Sequence, residues 1–305
     1  EGFIFMVKYN GIKINIDDKI VVLGSGAMAK MIQNIYPHNE ISIISRKNGG
    51  YDNEKDINGE ILINASPIGM GNSYNECLIS EETICKFKYV IDLNYNPGIN
   101  KLLYLASKNE IVNINGLTML VYQAVKAFEI WTGRKVSYEN TLKVIKYMQI
   151  ETTKGIALIG MPLSGKSNYF SNLKIKSINY IDTDKEIVKQ VGMPITNFVE
   201  LYGEDKFRDI ETKVIKEAVD NNYRYLALGG GVIKRWENRM ILNEYLIIDI
   251  TPRYSVLEKR FYEIKKHKRP FLKTIDDLEI LYKERKNKYK FFQNKGVVRY
   301  ENFNN

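Results

Sequence analysis

Residues 155–167 join a short apolar segment to the pattern G-x-x-x-x-G-K-S, which constrains how the surrounding chain can fold. The apolar residues predict a buried strand, and the glycines predict a tight loop before a helix. Backbone N–H groups of such a loop surround a phosphate, the lysine reaches the β- and γ-phosphates, and the serine binds Mg²⁺. The sequence therefore predicts an ATP site with Mg²⁺. Its predicted residues are Gly160, Met161, Pro162, Leu163, Ser164, Gly165, Lys166, Ser167 and Asn168.

The chain is long enough for two domains, and predicted helices and strands alternate along it. Its 305 residues are 44% hydrophobic, and this alternation is typical of α/β domains with parallel sheets. We place the domains at residues 1–150 and 151–305. No apolar run reaches the roughly 18 residues that span a membrane. Cys77 and Cys85 are interpreted as unpaired thiols of a cytoplasmic protein. No metal-ligand cluster is evident, so the Mg²⁺ of ATP is the only metal that we expect.

The net charge of +9 could indicate a nucleic-acid partner, and a nucleic-acid-dependent NTPase is one reading of it. However, residues 259–290 alone carry twelve Lys or Arg against five Asp or Glu. This excess of positive charge lies in the same predicted domain as the phosphate loop, where it would favour binding of an anionic substrate. Aromatic and basic residues are not interleaved as in proteins that stack bases. We therefore expect small-molecule partners and neither nucleic acid nor a membrane.

Several further motifs of the second half contain candidate catalytic or ligand-binding residues. A predicted strand at 180–184 ends in Asp182 and Asp184, where ligands of open α/β sheets bind, although Asp184 could instead cap the following helix. Three glycines, 229–231, follow another predicted strand and either let a ligand approach the backbone or form a flexible turn. The remaining motifs are Phe207-Arg208, Arg269-Pro270-Phe271-Leu272, and Arg285 before Tyr289.

In this order, the motifs resemble those of shikimate kinase over residues 155–300. The resemblance implies transfer of the ATP γ-phosphoryl group to the 3-hydroxyl of shikimate. Asp182 would assist Ser167 in holding Mg²⁺ through its waters, and Asp184 would hold and deprotonate the hydroxyl. Lys166 and Arg269, the latter on a mobile lid, would neutralise the transferring phosphoryl group. The residues implied to bind shikimate are Asp184, Arg208, Gly229, Gly230, Gly231 and Arg285. Leu163 departs from the family, which usually has glycine there.

A second glycine pattern, G-x-G-x-x-A, occupies residues 24–29 between a predicted strand at 19–23 and a predicted helix at 27–36. Alone, this pattern is weak evidence for dinucleotide binding. The next predicted strand, however, is followed by Arg46 and Lys47, where an NAD enzyme would place an acid. Two cations at this position suit a 2′-phosphate and therefore favour NADP.

Together with N-A-S-P-I-G at 64–69 and D-L-N-Y-N-P at 92–97, this pattern resembles the cofactor-binding half of shikimate dehydrogenase across residues 1–135. Gln123 would touch shikimate. The residues that the resemblance places at NADP are Gly24, Ser25, Gly26, Ala27, Ala29, Arg46, Lys47, Asn64, Tyr95, Gly116 and Met119.

The first half also departs from that family. Ala27 replaces a glycine, Ser45 replaces the usual asparagine, and the connection 47–60 lacks an apolar helical face. The family's catalytic Lys–Asp pair belongs to a domain that would precede residue 1, so we expect no shikimate oxidation by this chain alone. The predicted fold is α/β with two parallel-sheet domains, a truncated Rossmann-like domain and a P-loop, nucleoside-monophosphate-kinase-like three-layer domain. The predicted function is shikimate kinase fused to a partial NADP-dependent shikimate dehydrogenase. The alternative is a kinase whose first domain is a non-catalytic binding or scaffolding module.

Overall fold

The computed structural model describes residues 1–47, 50–51, 54–172, 179–263 and 272–293. The chain divides into two compact units, residues 1–152 and 153–293. Each unit contains its own parallel sheet. This arrangement confirms the predicted α/β class with two parallel-sheet domains.

The first unit is built on five parallel strands in the order β2-β1-β3-β4-β5. All four residues of β1 and of β3 are buried, because both strands lie inside the sheet and are covered by apolar side chains. The strands are β1 (Ile20–Leu23), β2 (Ile41–Ile44), β3 (Ile61–Asn64), β4 (Tyr89–Asp92) and β5 (Val112–Ile114). The helices are α1 (Gly2–Tyr9), α2 (Ala27–Ile35), α3 (Glu81–Ile84), α4 (Lys101–Lys108), α5 (Leu117–Thr132) and α6 (Tyr138–Glu151).

The second unit has a described sheet of four parallel strands in the order β7-β8-β6-β9. Its strands are β6 (Gly155–Ile159), β7 (Tyr180–Asp182), β8 (Tyr225–Ala227) and β9 (Tyr245–Asp249). Its helices are α7 (Lys166–Asn172), α8 (Thr183–Val191), α9 (Ile195–Tyr202), α10 (Glu204–Asp220), α11 (Glu237–Ile241), α12 (Tyr254–Glu263) and α13 (Ile275–Phe292). The strand β6 lies between β8 and β9, so the loop that follows β6 leaves the middle of the sheet.

Helix α8 corrects one prediction about the second unit. The strand β7 ends at Asp182, two residues earlier than expected, and Asp184 lies in the first turn of α8. The helix cap is Asp182, whose carboxylate accepts a hydrogen bond from the Lys185 amide at 3.2 Å. The alternative of Asp184 as a helix cap is therefore wrong, because Asp182 occupies that position.

Two further expectations concern the whole chain. Cys77 and Cys85 are free thiols, as predicted. Among the described residues, no helix combines the length and apolarity needed to cross a membrane.

Candidate functional site

The loop between β6 and α7 has the backbone geometry of a tight phosphate-binding turn. Gly160 and Gly165 have φ angles of 144° and 94°, which side-chain-bearing residues rarely adopt. Leu163 also has a positive φ, 71°, although it is not glycine. Glycine suits position 163 because it adopts this conformation without strain. In this chain the position is occupied by leucine, whose side chain is buried in the apolar core of the second unit.

Neighbouring strands and helices hold this loop in place. The Met161 amide donates to Thr251 Oγ1 at 3.0 Å, and the Thr251 hydroxyl donates to Asp249 Oδ1 at 2.6 Å. On the other side, Arg260 Nη1 donates to the Leu163 carbonyl at 2.8 Å. Burial raises the pKa of Asp249, and its hydrogen bonds from Thr251 oppose that rise. The loop is thus fixed from β9 and α12 as well as by its own sequence.

A cavity of about 800 Å³ opens beside the phosphate loop. Six of the nine residues predicted to bind ATP line it: Leu163, Ser164, Gly165, Lys166, Ser167 and Asn168. The other three are placed differently. The Gly160 carbonyl accepts from Lys166 Nζ at 2.7 Å, the Met161 amide is bonded to Thr251, and Pro162 lines a second cavity. Arg260 and Glu263, which were not predicted, also line the 800 Å³ cavity.

The second cavity, of about 520 Å³, is lined by all six residues predicted to bind shikimate: Asp184, Arg208, Gly229, Gly230, Gly231 and Arg285. We call it the acceptor cavity and the first one the nucleotide cavity. Three side chains line both cavities, namely Ser167, Asp182 and Asp184. The two cavities therefore meet at the serine of the phosphate loop and at the two acids after β7.

Asp182 has the properties expected of a group near a cation. Its side chain is 7% exposed, and no hydrogen-bond donor among the described residues reaches Oδ2. A buried carboxylate oxygen without a donor is costly unless a ligand satisfies it. Ser167 and Asp182 are oxygen donors of the kind that Mg²⁺ prefers. These residues therefore fit a Mg²⁺ ion delivered with a nucleotide.

Close packing requires two of the three glycines after β8, Gly229 and Gly231, which argues against the alternative of a flexible turn. A Cβ atom at Gly231 would lie 2.2 Å from Arg208 Nη2. A Cβ atom at Gly229 would lie 2.7 Å from Asp184 Oδ1 and 2.8 Å from Glu211 Oε1. These charged groups thus face the glycine backbone directly.

Arg208 is buried and held between two glutamates of its own helix. Its Nη1 donates to Glu211 Oε2 at 2.8 Å, and its Nη2 donates to Glu204 Oε1 at 2.9 Å. Lys234 Nζ also donates to Glu204, at 2.8 Å. Our sequence reasoning missed both glutamates. Their spacing of four and three residues from Arg208 on a helical segment is the signal that could have revealed them.

Arg285 and Tyr289 of α13 meet the middle glycine. Arg285 Nη1 donates to the Gly230 carbonyl at 2.9 Å, and the Tyr289 hydroxyl donates to the same oxygen at 2.5 Å. Burial raises the pKa of Tyr289 well above its usual value, so this hydroxyl stays protonated. Arg269, the predicted lid residue, lies outside the described residues, and its role stays a prediction.

In the first unit, the predicted dinucleotide turn lies at the carboxyl end of β1, next to β3. The chain passes from β1 to β2 on one side and returns to β3 on the other, so the strand order reverses there. Gly24 has a φ of 110°, and a Cβ atom on it would lie 3.0 Å from the Ala65 carbonyl oxygen. Gly26 is the N-cap position of α2. In this turn, Ser25, Gly26 and Ala27 are exposed to solvent, whereas Ala29 is buried.

The remaining residues predicted for this site divide into exposed and buried groups. Arg46 and Lys47 are exposed just after β2, as a 2′-phosphate contact requires. Met119 is buried in the apolar core, and Tyr95 packs against the cluster that contains Leu117. A Cβ atom at Gly116 would lie 2.1 Å from the Leu93 carbonyl oxygen, so packing alone requires this glycine. Gln123 lines a separate cavity of about 610 Å³ beside α1 and α5.

Asn64 belongs to a buried amide network centred on Asp92. Asp92 accepts hydrogen bonds from Asn100 Nδ2 at 2.6 Å, from the Asn94 amide at 2.9 Å and from Asn64 Nδ2 at 3.1 Å. Burial raises the pKa of Asp92 to about 6, although these donors oppose the shift. The network joins the loops after β3 and β4. Asn64 therefore supports the shape of the predicted cofactor site, and contact between Asn64 and the cofactor stays a prediction.

Comparison with known proteins identifies relatives of both units. Residues 164–302 match the family model described as shikimate kinase, and residues 116–146 match the model of the shikimate 5′-dehydrogenase C-terminal domain. Shikimate dehydrogenase (NADP(+)) of Clostridium perfringens strain 13 is 38% identical over 143 residues, which are 41% of this chain and 53% of that protein. Shikimate kinase of Caldicellulosiruptor bescii is 35% identical over 143 residues, which are 46% of this chain and 82% of that protein.

Among solved structures, the shikimate kinase from Acinetobacter baumannii in complex with shikimate is 27% identical, with a TM-score of 0.43. The match covers 50% of this chain and 84% of that one. The chain spans about half the length of the dehydrogenase relatives that it matches.

Proposed function

Because the chain belongs, through residues 164–302, to the shikimate kinase family, we propose that it transfers the γ-phosphoryl group of ATP to the 3-hydroxyl of shikimate. One observation carries this proposal. The nucleotide cavity and the acceptor cavity meet at Ser167, Asp182 and Asp184. A phosphoryl donor in one cavity and a hydroxyl in the other would therefore face each other across these three side chains.

The charges of the acceptor cavity fit a carboxylic acid that also carries hydroxyl groups. Arg208 and Arg285 line the cavity and would bind the carboxylate, for which a planar guanidinium is well suited. Asp184, where the two cavities meet, would accept a hydrogen bond from the reacting hydroxyl and take its proton as phosphoryl transfer proceeds. The carboxylate and the hydroxyl would thus be fixed at different walls, which orients the substrate.

The nucleotide side would stabilise the charge of the phosphates. Amides of the phosphate loop and Lys166 would contact the β- and γ-phosphates, while Ser167 and Asp182 would hold Mg²⁺. Bound there, Mg²⁺ would supply neutralisation of the negative charge on the transferring group. The loop contacts from Thr251 and Arg260 keep these groups in position before the nucleotide arrives.

A coupled assay of ADP release tests the proposed activity. With Mg²⁺ and ATP, the folded chain should release ADP at a rate that depends on added shikimate, and double-stranded DNA should not replace shikimate. Folded protein that binds ATP and shows no shikimate-dependent turnover would contradict the proposal. Stimulation by DNA alone would instead support the reading of a nucleic-acid-dependent NTPase.

Arg285→Ala should mainly raise the KM for shikimate. The variant removes one charge-assisted contact to the substrate carboxylate, worth about 1.5–3 kcal/mol, or roughly a 10–100-fold change in KM. The KM for ATP should change little, because Arg285 does not line the nucleotide cavity. Steady-state kinetics with each substrate varied in turn measure both constants. A lower melting temperature with an unchanged KM for shikimate would show that Arg285 stabilises the fold through its hydrogen bond to the Gly230 carbonyl and does not bind the substrate.

We also propose that the first unit binds NADP. The glycine turn at the reversal of strand order and the exposed Arg46 and Lys47 after β2 support this proposal. NADP should bind more tightly than NAD, and Arg46→Ala should remove most of a preference worth about 1.5–3 kcal/mol. Calorimetric titration with both dinucleotides measures the preference.

Arg134→Ala is the matched control, since Arg134 is an exposed arginine of the same unit beyond α5. This control should keep the preference for NADP. Equal affinities of the unmodified chain for NADP and NAD would contradict a 2′-phosphate site. If neither dinucleotide binds, the first unit is the non-catalytic module of the alternative reading.

A further inference from the structure

Lys185 is a cation of the acceptor cavity that the proposed mechanism does not use. It follows Asp184 in the first turn of α8 and lines the acceptor cavity but not the nucleotide cavity. Within the described parts of the chain, its ammonium group makes no ion pair or hydrogen bond, whereas Lys189, one turn further along α8, is paired with Glu186 at 3.6 Å. The positive charge of Lys185 is therefore available to a ligand.

The stability of α8 does not explain a lysine at this position. Amide groups at the start of a helix carry partial positive charge, so acids are favourable in the first turn and cations are unfavourable. Asp184 and Glu186 of the same turn follow this preference, and Lys185 between them does not. The helix dipole therefore disfavours a positive charge at position 185, and the feature that this charge lines is the acceptor cavity.

The other two cations that line the acceptor cavity in the described part of the chain are buried and already bonded. Arg208 and Arg285 are 4% and 3% exposed. Arg208 is held by two glutamates of α10, and Arg285 donates to the Gly230 carbonyl. Lys185, in contrast, is exposed to solvent. An anion that approaches from solvent would therefore meet the charge of Lys185 before the charges of the arginines.

Negative charge where the two cavities meet opposes the entry of such an anion. Asp182 and Asp184 both lie there. A nucleotide bound in the nucleotide cavity would also remain negatively charged, even with its Mg²⁺. Charges of one sign in and around a cleft repel a ligand of that sign, whereas an exposed charge of the opposite sign raises the rate of encounter.

We propose that Lys185 attracts the carboxylate of the acceptor towards the cavity and so sets the rate at which an anionic acceptor is captured. This inference rests on the proposed function, in which the acceptor is a carboxylic acid. Once the acceptor is bound, its carboxylate lies at the buried arginines, and Lys185 takes no part in phosphoryl transfer. Its charge should therefore affect kcat/KM for the acceptor and leave kcat nearly unchanged.

Lys185→Gln tests this role through the dependence of kcat/KM for shikimate on salt, at saturating ATP. At an ionic strength of about 0.02 M the variant should lose about threefold in kcat/KM. At about 0.5 M the difference should disappear, because counterions screen exposed charges. Lys185→Glu should lose about tenfold at low salt, since reversing the charge doubles the change in the free energy of encounter. Lys185→Arg should keep the normal value.

Lys189→Gln is the matched control, because it removes the same charge from an exposed site of the same helix but lines neither cavity. It should keep kcat/KM at both salt concentrations. Thermal melting excludes a structural role: Lys185→Glu should melt no lower than the unmodified chain, since an acid is favourable in the first turn.

Four results would overturn the role of Lys185 alone. They are an unchanged kcat/KM in Lys185→Gln at low salt, a loss that persists at high salt, an equal loss in Lys189→Gln, and a lower melting temperature of Lys185→Glu. Each of them presupposes that the unmodified chain turns over shikimate. If the unmodified chain shows no shikimate-dependent turnover, the proposed function itself fails, and this inference fails with it.

Discussion

Asp184→Asn should lower kcat for shikimate phosphorylation by about 10²–10⁴, the usual range for the loss of a general base. An asparagine has nearly the same shape and can still hydrogen-bond to the hydroxyl, but it cannot take the proton. The KM for shikimate should therefore change much less than kcat. Steady-state rates of ADP release at saturating ATP separate the two constants.

Glu186→Gln provides the control for this prediction. Glu186 is the other acid in the first turn of α8, is paired with Lys189 and does not line either cavity. This variant should keep nearly normal kcat. A loss below tenfold in Asp184→Asn would mean that Asp184 serves α8 as a favourable negative charge near the helix N-terminus.

Gly231→Ala should disable the acceptor cavity by displacing Arg208. The new methyl group would lie 2.2–2.5 Å from three atoms of the guanidinium, which two glutamates hold in place. To make room, Arg208 must leave at least one buried ion pair, at a cost of about 3–5 kcal/mol. We expect a matching loss of stability in the second unit and a KM for shikimate raised by about 10–100-fold.

Thermal melting and shikimate kinetics measure these two effects. Gly230→Ala is the graded comparison, because its Cβ atom would lie 3.2 Å from its nearest neighbours and needs only a small shift. Its loss of stability should be clearly smaller than that of Gly231→Ala. Unchanged melting and an unchanged KM in Gly231→Ala would mean that Arg208 moves freely and that the glycine is not required for packing.

Local patterns predicted which residues of the second unit come together around the two cavities, because these residues belong to short motifs at the ends of strands. The carboxyl ends of parallel strands meet at one edge, so the phosphate loop, the acids after β7 and the glycines after β8 come together there. The sequence did not reveal that Glu211 and Asp184 both lie beside Gly229. Asp184 belongs to α8 and Glu211 to α10, and no local pattern encodes that both side chains come close to Gly229.

The local structure at Asp182 was only half predicted, for a related reason. Its place after an apolar segment indicated the carboxyl end of a strand. The exact end of that strand depends on the hydrogen bond between Asp182 and the Lys185 amide, which the sequence pattern alone did not distinguish from a cap at Asp184. One carboxylate oxygen thus caps the helix while the other remains available to a cation.

In the first unit, the pattern predicted the glycine turn and the cations after β2, but it did not reveal the packing partners of the residues predicted for the cofactor. Asn64 and Met119 were predicted for the cofactor on a family motif. Asn64 lies in the hydrogen-bond network of Asp92, and Met119 lies in the apolar core. Both surroundings are formed by residues that are distant in the sequence, so a local motif does not reveal them.

Leucine at position 163 changes the interactions that hold the phosphate loop in its conformation. A glycine at this position loses a large amount of backbone entropy when the loop becomes fixed, whereas a leucine has fewer conformations to lose. The left-handed conformation costs the leucine about 1–2 kcal/mol, and burial of its side chain contributes about 1.5–3 kcal/mol in return. In this chain the loop therefore keeps its shape through side-chain packing and restricted backbone freedom, and it has less conformational entropy to lose when a nucleotide binds.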